Sequence, residues 1–145
     1  MKLQGKFLYY DTENENGRIY TKELSKDIIK QFEERKELGE VLFGQVGYPP
    51  PEEFLGRLDH TSHVIKEIHL NEETKSIDGT IEILDTPAGR QLMEMVNNDP
   101  TKFGELFVVR SRGFGEVNEN KEVTNFKILS FDVVPKEEDA FKNNQ

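Results

Sequence analysis

Cysteine is absent from this chain of 145 residues. Its absence excludes disulfide bonds, zinc sites built from thiolates and a cysteine nucleophile. Long apolar runs are absent too: stretches such as residues 106–109 are far shorter than the roughly 20 apolar residues that a membrane-spanning helix needs. We therefore expect a domain that folds on a hydrophobic core alone and has no membrane partner.

Basic residues are scarce relative to acidic ones. Lys and Arg together number 19, against 28 Asp and Glu, which gives a formal net charge of −9. Affinity for nucleic acid comes from clustered Lys and Arg side chains, so a nucleic-acid partner is not expected. An acidic surface keeps a protein dissolved and can also steer it toward a basic partner, and the composition leaves both roles open.

Length and apolar patterning predict one domain over residues 1–136, followed by a polar tail over residues 137–145. Strands are predicted where apolar residues alternate, over residues 3–10, 40–46, 63–70, 77–84, 105–112 and 123–134. Helices are predicted over residues 21–38 and from Thr86 to Asp99, where apolar residues recur at helical spacing. This order favours an α+β fold, a curved and mostly antiparallel sheet that forms a partial barrel and carries two helices.

A buried core is expected on one side of these elements. The apolar positions of the predicted strands and helices supply it: Ile28, Phe32, Ile81, Ile83, Leu92, Val108, Phe126 and Ile128.

Ser111 is a candidate nucleophile at the end of a predicted strand. It lies between Arg110 and Arg112, and Gly113 and Gly115 follow it. Glycines let the backbone turn sharply, which exposes a hydroxyl and directs N–H groups at an oxyanion, and arginines stabilise developing negative charge. The alternative is a serine in a strand-end turn between two solvated arginines.

Histidines at positions 60, 63 and 69 are the candidate general bases. Strict alternation places His63 and His69 on the same face of their strand, with His60 before it. A metal site would need these histidines with Asp59 or Glu67, but their spacing matches no standard ligand motif, so neither a metal nor a cofactor is expected.

Three aspartates could orient a base: Asp59, Asp85 and Asp132. The alternatives are that Asp59 lies in a turn, that Asp85 caps a helix and that Asp132 is a charge at a sheet edge.

The loop over residues 47–54 is rigid because three prolines follow one another at its centre. Tyr48 and Phe54 would give it two aromatic contact points, and tyrosine is favoured at interfaces. The loop is therefore either a partner-binding element, with Tyr48, Pro49, Pro50 and Phe54 in contact, or a stiff connection.

Six segments, taken in this order, resemble the prohead core proteases of tailed phages, a serine-protease class that shares the herpesvirus assemblin fold. The resemblance runs from about Leu3 to Ala140, with Leu-Asp-Thr-Pro-x-Gly among its more specific motifs. The matching segments are residues 14–20, 44–49, 61–65, 79–89, 111–115 and 131–134.

The sequence departs from that family at its chemistry. The family typically reads Gly-Glu-Leu-Asp/Asn-His-Pro where this chain reads Gly-Gln-Val-Gly-Tyr-Pro, so Tyr48 occupies the position of the catalytic histidine. A phenol is a poor base at neutral pH. The family also tends to have a serine where this chain has Arg110, and the resemblance leaves open which of the two serines is the nucleophile. His63 matches a structural-looking histidine elsewhere in the pattern.

The resemblance, together with these departures, implies a pseudoprotease. We expect a phage capsid-associated structural or auxiliary protein with no catalytic residues, in which Ser111, Tyr48, His63 and Arg112 mark the former site. The expected partners are the major capsid protein and other capsid chains, in a virion assembled in the host cytoplasm. The alternative is an active maturation serine protease that uses His60 or His63 with Ser111 to cleave scaffold and capsid proteins. A scaffold protein removed before maturation is a third possibility.

Overall fold

A computed structural model describes residues 1–47 and 60–136 of the chain. In chain order, the described elements are β1 (Lys2–Tyr9), α1 (Lys22–Glu37), β2 (Phe43–Gln45), β3 (Thr61–Asn71), β4 (Ser76–Ile83), α2 (Pro87–Met95), a 3₁₀ helix (Pro100–Lys102), α3 (Phe103–Leu106), β5 (Phe107–Val117) and β6 (Val123–Pro135). No helix within these ranges combines the length and the apolar character that a bilayer crossing requires.

The strands form two antiparallel sheets that meet along one line. The first has the order β1-β4-β3-β2, and the second is the β5-β6 hairpin. Val46, just after β2, forms a parallel bridge with Val133 of β6. At the opposite edge of the first sheet, β1 packs beside β5 without pairing with it, so the two sheets together curve but do not close into a barrel. The predicted α+β class and partial barrel are confirmed.

Helix boundaries follow local signals in the sequence. The Thr21 hydroxyl accepts a hydrogen bond from the Leu24 N–H at the start of α1, and Thr86 does the same for Gly89 at the start of α2. Gly39, with a φ of +80°, follows α1 and permits the chain to leave it. The short α3 was not predicted, and a four-residue turn has too little periodicity to be recognised from sequence.

The predicted core is buried at every position except Val108. Val108 is half-buried because its strand neighbours Phe107 and Val109 occupy the face that turns toward the core. Phe7 of β1 packs against Phe131 of β6, with ring centroids 5.0 Å apart, and so joins the two sheets through the core.

Strict alternation fails in β3. The ladder with β4 shifts register between Ile65 and Glu67, which leaves one extra residue on β3. A bulge of this kind reverses the faces of the residues beyond it. The prediction that His63 and His69 share a face is therefore wrong: His63 is fully buried, and His69 is exposed.

The line along which β2 meets β6, here called the seam, is held mainly by polar contacts. The Gly47 N–H donates to the Val133 carbonyl (2.7 Å), and the Gln45 N–H donates to Asp132 Oδ1 (2.9 Å). Next to the Gln45 contact, on the side away from Gly47, the His63 side chain reaches from β3 across Gly44 to the Phe131 carbonyl, at 2.8 Å from Nε2. Side chains thus replace part of the ladder that two adjacent strands would normally form.

Gly44 lies under the His63 ring at the centre of the seam. A Cβ at this position would lie 2.1 Å from His63 Nε2 and 2.3 Å from the Phe131 carbonyl oxygen. Neither neighbour can move away freely, because the two atoms are hydrogen-bonded to each other. The position therefore requires glycine for space, not for an unusual backbone angle.

We predict that Gly44→Ala lowers the free energy of unfolding by on the order of 1–3 kcal/mol, because the added methyl group forces the seam apart. Gly104→Ala is the matched control, since a Cβ there meets no atom within 4 Å. Urea denaturation of both variants measures the difference. Equal midpoints for Gly44→Ala and wild type would contradict the account of the seam.

Candidate functional site

A cleft of about 1340 Å³ lies between β1 and β5. Its walls come from residues 5–9 of β1, residues 107–114 of β5 and the loop before α1. Phe103, Phe107, Phe126 and the exposed rings of Tyr9 and Phe114 make much of this lining aromatic. About half of the lining residues are polar or charged, and the cleft is larger than a typical small-molecule pocket.

Ser111 lines this cleft from the middle of β5. It pairs with Phe131 in the ladder and is half-buried. Its hydroxyl lies 3.0 Å from the Tyr20 hydroxyl, and either group can be the donor. The Tyr20 ring packs edge-on against Phe126, with centroids 5.7 Å apart, which holds the phenol in place.

The glycines after Ser111 serve packing within a continuing strand. β5 runs on to Val117, so the predicted strand end near Arg112 and the sharp turn after it are wrong. A Cβ at Gly113 would lie 2.2 Å from the Lys127 carbonyl oxygen and 2.6 Å from the Phe126 ring. Gly113 therefore admits the Phe126 ring and the neighbouring strand, and this close approach explains it better than an oxyanion-binding turn.

His63 is committed to the fold at both ring nitrogens. Nε2 faces the Phe131 carbonyl, which can only accept, so Nε2 carries the hydrogen. Nδ1 then accepts from the Ser62 hydroxyl at 2.7 Å. Burial lowers the pKa of His63 from 6.5 to about 4, with Arg112 adding to the effect and the Phe131 hydrogen bond opposing it. His63 is consequently neutral at physiological pH.

The other histidines do not reach Ser111 either. None of the chain's three histidines lines the cleft, and all three lie within the described residues. His60 is exposed at the start of β3, and His69 is exposed near its other end. The structure therefore brings Ser111 together with Tyr20 and not with an imidazole.

Arg112 and Asp132 form a buried ion pair beside the seam. Arg112 Nε lies 2.9 Å from Asp132 Oδ2, and both side chains are at most 5% exposed. Arg112 Nη2 also donates to the Phe43 carbonyl at 3.3 Å. Burial raises the pKa of the Asp132 carboxyl, while Arg112 and the Gln45 N–H act in the opposite direction. The pair therefore links β5 and β6 to β2.

The remaining candidate residues from the sequence either do not line the cleft or lie outside the described residues. Asp85 is exposed and pairs with Arg90 at 2.7 Å. Within the described ranges, no group of three or more His, Asp or Glu side chains is arranged to hold a metal ion. Tyr48, Pro49, Pro50, Phe54 and Asp59 lie outside the described residues.

Sequence reasoning missed the role of Tyr20. Tyr20 and Ser111 are 91 positions apart, and no local pattern connects them. Only the fold brings the two hydroxyls together.

Comparison with solved structures identifies the same fold in the bacteriophage T4 capsid assembly protease, gp21. The TM-score is 0.76 at 20% sequence identity, over 92% of this chain and 80% of that chain. No protein-family model matches the sequence, and no curated protein is significantly similar to it. The chain therefore has a prohead-protease-like fold.

We predict that acidification destabilises the protein through His63. Between the unfolded pKa of 6.5 and the folded value of about 4, the unfolded chain binds the proton and the folded chain does not. The stabilisation that the neutral His63 ring gives the folded state is fully present above the unfolded pKa, and it is lost as the pH falls through the folded pKa. It amounts to about 3 kcal/mol.

Urea unfolding from neutral pH down to about pH 4 measures this loss in wild type, His63→Gln and His69→Gln. The difference between wild type and His63→Gln isolates His63, because Asp132, whose raised pKa acts in the opposite sense, is present in both. His69→Gln should follow the wild-type curve. A pH dependence that His63→Gln leaves unchanged would contradict the prediction.

Proposed function

We propose that this chain is a phage capsid-associated structural or auxiliary protein that keeps the fold of a capsid-assembly protease without its hydrolytic chemistry. The observation that carries the proposal is the absence of any histidine from the cleft that contains Ser111. A serine hydroxyl is a weak nucleophile until a base within hydrogen-bond reach takes its proton.

The surroundings of Ser111 support this proposal. Its hydroxyl is partnered by a phenol, which shares a hydrogen bond but is a much weaker proton acceptor than an imidazole. His63 is neutral but has its acceptor nitrogen occupied by Ser62. Residues 48–59 include no histidine, so that part of the chain does not supply one.

Asp132 and Glu13, two of the carboxylates that line the cleft, are held in ion pairs. Asp132 is held by Arg112, and Glu13 pairs with Lys121 at 2.9 Å. Each of these two carboxylates is therefore already engaged by a cationic side chain.

The competing function is an active maturation serine protease. The observation in its favour is the position of Ser111, which is half-buried on the wall of a large cleft. That function requires a base, from His60 or from a group that moves when a substrate binds. The same fold in the T4 capsid assembly protease supports a capsid-related role for either function.

We predict that a fluorophosphonate probe does not label Ser111 above the background set by Ser111→Ala, because its described partner is a phenol and no histidine lines the cleft. Intact-mass spectrometry detects the adduct, and an active serine protease in the same tube confirms that the probe reacts. Labelling that Ser111→Ala abolishes would establish the protease instead. Tyr20→Phe is a useful companion variant, since it removes the hydroxyl that contacts Ser111 and keeps the aromatic ring.

The proposed partners are the major capsid protein and other capsid chains, in a virion assembled in the host cytoplasm. The proposed contact is the loop over residues 47–54, with Tyr48, Pro49, Pro50 and Phe54. Its support comes from the sequence: three consecutive prolines fix the backbone, so little conformational entropy is lost on binding.

We predict that Tyr48→Ala/Phe54→Ala weakens binding to assembled capsids by more than about 1–2 kcal/mol, because it removes two aromatic anchors. That is about a tenfold loss of affinity. Leu38→Ala is the control, since Leu38 is an apolar residue that is 77% exposed outside this loop. Co-sedimentation with capsids measures occupancy. Equal occupancy for the double variant and wild type would remove the loop from the interface.

A further inference from the structure

The Ser62 hydroxyl is buried at the seam and lies within reach of two acceptors. Its oxygen is 2.7 Å from His63 Nδ1 and 3.4 Å from the Gly44 carbonyl oxygen. A serine hydroxyl carries one hydrogen and two lone pairs, so it donates to only one of these acceptors at a time. The hydroxyl therefore has two positions, and the choice between them depends on whether Nδ1 carries a hydrogen.

When the ring is neutral, the Ser62 hydrogen points to His63. Nε2 holds the single ring hydrogen because it faces the Phe131 carbonyl at 2.8 Å, which leaves Nδ1 as an acceptor. The shorter distance from the hydroxyl to Nδ1 than to the Gly44 carbonyl agrees with this direction. At neutral pH, Ser62 therefore donates to the ring.

A proton on Nδ1 reverses this hydrogen bond. Nδ1 becomes a donor, and rotation about the Ser62 Cβ–Oγ bond turns the hydroxyl hydrogen toward the Gly44 carbonyl and a lone pair toward Nδ1. Both ring nitrogens then donate, Nε2 to Phe131 and Nδ1 to Ser62. The ring can thus take up a proton without the loss of either hydrogen bond and without any displacement of the backbone.

The charged groups that bear on His63 come from the β5-β6 hairpin. Arg112 of β5 lowers the pKa of His63, and Asp132 of β6 is paired with Arg112. Uncharged residues lie against His63 or Ser62 from the other elements: Gly44 of β2, Ile83 of β4 and Gly89 of α2. A protonated ring therefore keeps its hydrogen bonds but meets repulsion from Arg112, so the acid form is folded and less stable.

We propose that Ser62 is the moving part of a proton switch in the seam: its hydroxyl donates to His63 Nδ1 when the ring is neutral and to the Gly44 carbonyl when Nδ1 is protonated. The switch lets the folded protein take up a proton between its two sheets while the hydrogen bond from His63 to the Phe131 carbonyl is kept. The added positive charge weakens the seam in acid, and the effect reverses when the pH rises. The switch operates whether or not Ser111 reacts.

The test is the pKa of His63 in the full-length wild type, Ser62→Ala and Ser25→Ala. NMR of the imidazole nitrogens follows the ring as the pH is lowered through about 4. Ser25→Ala is the control, because Ser25 is as fully buried as Ser62 but lies in α1, where its hydroxyl has no hydrogen-bond partner among the described residues.

We expect Ser62→Ala to lower the pKa of His63 by about one pH unit and Ser25→Ala to leave it unchanged. The protonated ring loses a charge-assisted hydrogen bond, which is stronger than the neutral one that the neutral ring loses. A hydroxyl that only donated to the neutral ring would give the opposite sign, since its removal would raise the pKa. A raised or unchanged pKa in Ser62→Ala would therefore overturn the proposal, and so would an equal lowering in Ser25→Ala.

A measurement on the wild type alone covers the case in which Ser62→Ala does not fold. Below the folded pKa, the folded protein should show hydrogens on both ring nitrogens of His63, with the Nε2–H still hydrogen-bonded to the Phe131 carbonyl. If His63 takes up its proton only as the chain unfolds, the proposal is wrong, because the switch requires a folded acid form.

Discussion

The hydrogen bond from His63 to the Phe131 carbonyl, made across Gly44, is the interaction on which the rest of the structure depends. It joins the four-stranded sheet to the β5-β6 hairpin where backbone pairing is short. The Arg112–Asp132 pair and the Gln45 N–H extend the same line. Because buried polar groups are costly unless they are satisfied, these contacts fix one relative position of the sheets.

The seam also accounts for the position of His63, which is bonded within the fold and does not line the cleft that contains Ser111. The chain's only buried histidine is used to connect strands, and burial keeps it neutral with both nitrogens bonded. Ser111 faces the cleft on β5, where its partner is a phenol. The fold is shared with the T4 capsid assembly protease, and the described cleft contains no imidazole.

Local patterns predicted most of the fold. Thr21 and Thr86 marked helix starts, and apolar spacing identified α1 and the β3-β4 hairpin, because these signals act over a few residues. The bulge after Ile65 and the continuation of β5 past Arg112 were missed, since both are set by neighbouring strands. The site was harder to predict. Ser111 was identified from its motif, but its contact with Tyr20 depends on tertiary structure alone.

The central claim is that His63 serves the seam and not Ser111, and a ¹H–¹⁵N NMR spectrum of the imidazole nitrogens tests it most directly. The account predicts the Nε2–H tautomer at neutral pH, with the ring still neutral well below its ordinary pKa of 6.5. The spectrum should not change in Ser111→Ala. A proton on Nδ1, a ring that titrates near 6.5, or a spectrum that responds to Ser111→Ala would contradict it.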